Sequence, residues 1–423
     1  MNLRRLLSLS LAVFLLTGCA DLRSNIEERL QSRRVVAIPT VPVDAPVDVQ
    51  AALRDYDRAV ASLRTLYVKS DKVGAAWQKI ADAERRKIID AGADQGEQFA
   101  VSMRAMIDAI DDADISLQSM APAASQKFGG IGVSVDLPDE GRDRLLVLSV
   151  YPNSPAERAG IQPHDSIIAV EGESVKGAAG AQILTKVRGE PDTKLTLTVR
   201  TPGREPRDVT LMRRVIDASP DNTPGQHRFI DGANVAYVAP NPSDADGMRD
   251  DVAAALRDLS TDRPLDGLVL DLRTMRGPDF PLNAMLSLFV NGDEVGGNRT
   301  RSKTTKIAVR GKGVGGSQDV RLAVLVSDLT TGPAEAFAGI LQDLGRARVI
   351  GNRTRGRTAV LQHVVLPMSH LELSIPNGEV LGVKKTSWYG AGVMPEVELK
   401  TRWEDHTAED DPVLARAQEE LQK

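Results

Sequence analysis

The sequence predicts a multidomain chain: an α-helical N-terminal region, a β-rich module with short helices, and an α/β core of sheet strands and crossover helices. Three observations predict it. The 423 residues exceed one ordinary domain and accommodate about two or three. Hydrophobic spacing runs in threes and fours before residue 110, in twos from about residue 128, and as alternating strands and helices beyond about residue 226. A composition that is 42% hydrophobic and 26% charged is that of a globular chain, neither disordered nor membrane-spanning. With aromatics at 4%, the cores must be aliphatic. A net charge of −5 of mixed sign, without a recurring Lys/Arg block, excludes nucleic acid as a partner.

At the N-terminus, Arg4 and Arg5 precede an apolar run over residues 6–16, as in a secretory signal. The run is shorter than the roughly 20 residues that span a bilayer. Leu16-Thr17-Gly18-Cys19 fits a lipobox, in which cleavage leaves a lipidated cysteine first, and Cys19 is the only cysteine of the chain. Residues 1–18 are therefore expected to be a lipoprotein signal peptide, and residues 19–50, rich in Pro and Val, an extended tether. The expected location is the bacterial cell envelope, lipid-anchored and facing the periplasm. Ala20, where Asp would signal retention, favours the outer membrane.

Residues 51–125 form the helical region, with amphipathic periodicity over 51–67 and 73–110. Asp111-Asp112-Ala113-Asp114 lacks the glycine and terminal Glu of a calcium loop, so it reads as a solvated acidic turn. No metal is assigned. Residues 126–215 start with Gly129-Gly130-Ile131-Gly132-Val133, a glycine loop running into a strand, and continue with a strand over 145–150. A short helix follows over 154–161, with Pro155 near its start and Gly160 at its end, and then a strand and tight turn over 165–172. This order resembles a PDZ domain of the bacterial protease type. His164 stands where that pattern usually has Gly. The resemblance implies that Gly130, Ile131, Gly132 and Val133 receive the C-terminal carboxylate of a peptide.

Over residues 227–400, strands at 234–238, 265–272 and 321–326 alternate with helices at 244–259 and 333–344. This pattern argues for a parallel sheet. Further strands are expected at 370–375 and 382–388, and a C-terminal helical tail over 401–423 with its helix at 411–421. Gly267 to Arg273, Glu335-Ala336-Phe337 with Leu341 to Ala347, and Gly390 to Val397 together resemble the carboxyl-terminal processing, or tail-specific, serine proteases. That resemblance implies a sheet-and-helix core of the ClpP/crotonase kind and a serine-type peptidase with a Ser nucleophile, a Lys base, a helper Gln and oxyanion amides.

At each of those positions this chain departs from the family. The nucleophile position, three residues before Glu335, is Gly332. The base position in Arg355-Gly356-Arg357-Thr358 is Arg357, whose guanidinium stays protonated. The helper position is Leu361, with Gln362 next to it. The oxyanion segment reads Met275-Arg276-Gly277-Pro278, and proline has no N–H to donate. Thr330 and Thr331 offer hydroxyls better suited to capping than to attack, and Asp271 with Arg273 reads as a structural ion pair. The five histidines lack metal-ligand spacing, and His363 and His370 read as strand residues.

These residues point to a membrane-tethered pseudoprotease that binds unfolded or C-terminal peptide segments without hydrolysis and needs no cofactor. An active envelope protease is a further candidate partner. Two other readings fit the same chain: a divergent serine-type or threonine-nucleophile endopeptidase, and a structural envelope lipoprotein.

Overall fold

The computed structural model describes residues 47–91, 95–120, 129–136, 143–176, 180–216, 225–230 and 233–423. The expected signal peptide, Cys19 and most of the tether lie outside the described residues. The chain divides into two compact units, one of residues 1–111 with 364–373, the other of 112–363 with 374–423.

In the first unit, α1 (Val47–Leu66), α2 (Ala75–Asp90) and α3 (Gln95–Asp108) form a helical bundle. α1 begins four residues before the end of the expected tether, so residues 47–50 are helical. Leu53, Tyr56, Val60 and Leu63 of α1, Trp77, Ala81 and Ile88 of α2, and Met103 and Met106 of α3 are buried at the spacing of one helix face. The two large aromatics hold the helices together through their polar tips as well. The Tyr56 hydroxyl donates to the Ala81 carbonyl at 2.9 Å and Trp77 Nε1 to that of Met106 at 2.9 Å. Asp55 accepts from both the backbone N–H and the hydroxyl of Ser369. Among the described residues no helix is long and apolar enough to cross a membrane.

The second unit opens with β1 (Ser116–Ser119) and the PDZ module: β2 (Gly129–Gly130), β3 (Val133–Asp136), β4 (Leu145–Val150), α4 (Pro155–Arg158), β5 (Ser166–Val170), β6 (Glu173–Ser174), α5 (Gly180–Val187), β7 (Lys194–Arg200), β8 (Arg207–Met212) and β9 (Arg214–Val215). Its sheet runs β3-β4-β5-β7-β8, with β3 at one edge, and β2 pairs β9 in a separate ribbon. α4 starts as expected: Ser154 Oγ accepts from the Glu157 N–H, Pro155 takes the first turn, and Gly160 turns at a φ of +70°. Ile131, Leu145, Ile167, Ile183, Leu195 and Leu197 fill the module's core.

The protease-like part comprises β10 (Gln226–Phe229), β11 (Val235–Ala239), α6 (Met248–Leu259), β12 (Gly267–Asp271), α7 (Leu282–Phe289), β13 (Gly292–Thr300), β14 (Thr304–Val309), β15 (Leu322–Val326), α8 (Pro333–Asp343), β16 (Arg348–Gly351), β17 (Ala359–Leu366), β18 (Leu371–Gly382), β19 (Val397–Glu398) and α9 (Pro412–Gln422). The main sheet runs β10-β11-β12-β15-β16-β19, parallel throughout except for β10. Every residue of β12 and β15 is buried, as parallel strands covered on both faces require. Leu268 and Leu270 face a core shared with α6, α7 and α8, while Val269 faces Val413, Ala417 and Leu421 of α9.

Three expectations fail locally. The strand expected at 382–388 is a turn closed by a Leu381–Ser387 bridge, with Lys385 at a φ of +63°. The strand before it is longer than expected, reaching Gly382. His370 is a turn residue at a φ of +53°, not a strand residue.

Candidate functional site

The strand-loop-helix β15–α8 presents the segment expected to carry the nucleophile. Gly332 is the N-cap of α8 at φ +72°, ψ −143°, a conformation essentially restricted to glycine. The segment after β12 lies directly against it. Thr331 N–H donates to the Met275 carbonyl at 3.0 Å, and Gly277 N–H donates to Thr331 Oγ1 at 3.1 Å. A Cβ built on Gly332 would stand 2.3 Å from the Gly277 carbonyl oxygen. The Gly277 carbonyl thus points at the place a side chain at 332 would occupy, and Pro278, which follows, has no N–H to donate. Thr330 is fully buried, its hydroxyl accepting from Ser327 N–H and donating to the Leu272 carbonyl. Both threonine hydroxyls are structural clasps of this turn.

The loop expected to carry the base is organised by Glu335 in the first turn of α8. Its buried carboxylate accepts from the Thr354 hydroxyl, from Gly356 N–H at 2.6 Å and from Arg357 N–H at 2.8 Å. Burial raises its pKa against the opposing pull of those donors. Gly332 and the 354–357 loop are thus brought together, since Glu335 N–H also donates to the Gly332 carbonyl at 3.1 Å. Leu361 and Gln362 lie further on in β17, where Leu361 offers no polar atom and the Gln362 amide donates to the His363 carbonyl.

The acidic run is not the solvated turn expected from sequence. Asp114 is partly buried, with Oδ2 lacking a hydrogen-bond partner, and Asp112 accepts from the Tyr389 hydroxyl. Burial pushes the Asp114 carboxyl up to about 6, Asp112 adding to the rise and Arg357 opposing it. The Arg357 guanidinium therefore sits in the field of Asp114.

The oxyanion-like segment is also tied to the PDZ module. Arg276 forms an ion pair with Asp136 at the end of β3 and donates to the Val135 carbonyl at 3.1 Å. Arg355 lies 3.9 Å from the same carboxylate and donates to the Asp328 carbonyl. Sequence reasoning missed Asp136, and an isolated Asp at a strand end carries no signal of a partner 140 residues away. The expected pair of Asp271 and Arg273 is present at 2.7 Å, with Asp411 as a second partner at 2.7 Å.

In the PDZ module, Gly130, Ile131, Gly132 and Val133 line a cavity of about 350 Å³, together with Val135 of β3 and Leu184 and Val187 of α5. β3 is an edge strand of its sheet, so the arrangement suits a peptide added as a further strand. Gly132 has a φ of +79°, and a Cβ there would meet Ser154 at 2.3 Å. Only glycine fits this place.

Comparison with known proteins agrees with this geometry. The sequence model of peptidase family S41 matches residues 234–399, and that of a PDZ domain matches residues 146–201. A "Probable CtpA-like serine protease" of Staphylococcus aureus is 28% identical over 296 residues, 67% of this chain and 55% of that protein. A "Carboxyl-terminal-processing protease" of Synechocystis sp. is 30% identical over 246 residues, 55% of this chain and 53% of that protein. The chain thus spans about half the length of the curated relatives it matches. Among solved structures, a photosystem II D1 C-terminal processing protease aligns with a TM-score of 0.60 at 22% identity, covering 84% of this chain and 94% of that one. Mature CPAF aligns with a TM-score of 0.53 at 14% identity, covering 89% and 97%. With the fold, the PDZ module and the order of motifs in agreement, residues 234–399 form a peptidase family S41 domain and residues 146–201 a PDZ domain, the combination of the carboxyl-terminal processing proteases to which the chain is similar.

Proposed function

We propose that this chain is a membrane-tethered pseudoprotease, which captures unfolded or C-terminal peptide segments on its PDZ groove and does not hydrolyse them. One observation carries the reading: the family nucleophile position is Gly332, and the Gly277 carbonyl fills the space its missing side chain would need. Arg357 at the base position and Pro278 in the oxyanion segment support it. Removing one oxyanion donor alone costs about 100- to 1,000-fold in rate. Here the nucleophile and base are gone as well.

Capture needs none of these groups. The edge of β3 can pair with an extended segment, and the loop of Gly130 to Val133 receives its terminal carboxylate through charge-assisted hydrogen bonds. Lipid on Cys19 would hold the module at a membrane in the bacterial envelope, where peptide ends of exported or unfolded proteins, and an active protease that consumes them, are the fitting partners. The test is binding of one peptide in free-acid and C-terminally amidated forms. Amidation is expected to weaken binding at least tenfold, and equal affinities would reduce the PDZ module to a packing element.

A further inference from the structure

β9 ends at Val215, and the next residue, Ile216, turns its side chain over the peptide loop. A Cβ on Gly130 would lie 3.1 Å from Ile216 Cγ1, and one on Gly132 would lie 3.5 Å from Ile216 Cδ1. The isoleucine thus rests on the two glycines that flank Ile131. It is half-buried and forms one wall of the cavity of about 350 Å³ whose other walls include Val133, Leu145, Ile167 and Val187.

Nothing in the local backbone demands an isoleucine here. The β2–β9 ribbon is a main-chain pairing, Gly129 with Val215 and Gly130 with Arg214, and Ile216 lies just beyond it. What the side chain does is chemical. An apolar group against the loop keeps water from the amides that would hold a carboxylate, and strengthens those hydrogen bonds by lowering the local dielectric. Its branched tip also takes up room that the last side chain of a bound peptide would need.

Resting on the peptide-capture reading above, we propose that Ile216 is a specificity-determining residue of this groove, admitting chains that end in a small aliphatic residue and excluding bulkier ends. A hydrophobic wall discriminates by volume, and one methylene more or less in such a pocket changes selectivity by about tenfold or more. Ile216 occupies the side of the loop on which side chains at 130 and 132 would stand, so the two glycines are what leave it its place.

The experiment is calorimetric titration of the full chain with one decapeptide ending in Ala, Val, Leu or Phe, each as the free acid, plus the amidated Ala form. The unmodified chain is expected to prefer Ala and Val. Ile216→Ala should shift the Leu-to-Ala and Phe-to-Ala affinity ratios about tenfold toward the larger residue, Ile216→Val should give an intermediate shift, and Ile216→Trp should weaken all four peptides. If Ile216→Ala does not fold, the Val and Trp variants carry the test. Ratios that stay within about twofold of the unmodified chain in every folded variant would overturn the assignment of Ile216, with peptide capture intact. Failure of all four free-acid peptides to bind, or equal binding of the amidated form, would overturn the capture reading and the role of Ile216 with it.

Discussion

The imidazole of His164 stacks on the indole of Trp403, with ring centroids 3.7 Å apart and planes at 14°. His164 Nδ1 lies 2.6 Å from the Trp403 carbonyl, which can only accept, so Nδ1 carries the proton of the neutral ring. Trp403 Nε1 in turn donates to the Val147 carbonyl at 2.9 Å. This clasp fastens the PDZ module to the C-terminal part of the protease-like domain. It also accounts for a histidine at a φ of +76°, where glycine would avoid a strain on the order of 1 kcal/mol. The stack offsets that cost.

Burial holds the His164 pKa down at about 4, the hydrogen bond to the Trp403 carbonyl and Asp411 opposing, His406 and Arg273 lowering it further. Between its unfolded value near 6.5 and about 4, the unfolded chain binds the extra proton. The contribution of His164 to stability is therefore fully present above pH 6.5 and lost as pH falls toward 4. A His164→Gly variant is expected to be less pH-sensitive across that window in thermal unfolding. Identical pH profiles for the two proteins would contradict the clasp.

Gly332→Ser should destabilise the protein by about 2 kcal/mol or more, because the backbone conformation there suits glycine alone and the new Cβ would meet the Gly277 carbonyl at 2.3 Å. Combining it with Arg357→Lys should restore no hydrolysis, since Pro278 leaves the oxyanion segment short of an N–H donor. Denaturant unfolding and cleavage of an unfolded substrate check the two halves.

Arg273 is buried between Asp271 and Asp411, joining the end of β12 to the start of α9. Arg273→Ala leaves two carboxylates buried and is expected to cost about 3–5 kcal/mol, measured by denaturant unfolding. A loss under about 1 kcal/mol would show that water reaches the site.

Replacing Cys19 with Ser is expected to release the protein from membranes on fractionation. Retention of the variant in the membrane fraction would contradict lipidation at that residue.

Periodicity made most of the fold legible. β4, α4, β12, β15 and α8 stand where alternating or helical spacing put them, because their own side chains fill the cores. The β13–β14 hairpin and α7 escaped notice: the first is glycine-rich and weakly patterned, the second a short, nearly all-apolar run. At the site, the assignment of Gly332, Arg357 and Pro278 to the family's positions rests on motif spacing alone. Asp114 and Arg276 could not, because their partners Arg357 and Asp136 lie far away in the chain and only the tertiary fold joins them. His164 stood out in the sequence as an exception, and its reason, Trp403, lies 239 residues away.

Cleavage of an unfolded protein substrate by the unmodified chain, beside its Thr330→Ala and Thr331→Ala variants, tests the loss of catalysis most directly. The expected result is no hydrolysis above background in any of the three, with Thr330→Ala less stable because its hydroxyl clasps Ser327 and Leu272. Sustained turnover by the unmodified chain that disappears in either threonine variant would contradict the account and assign the nucleophile to that threonine.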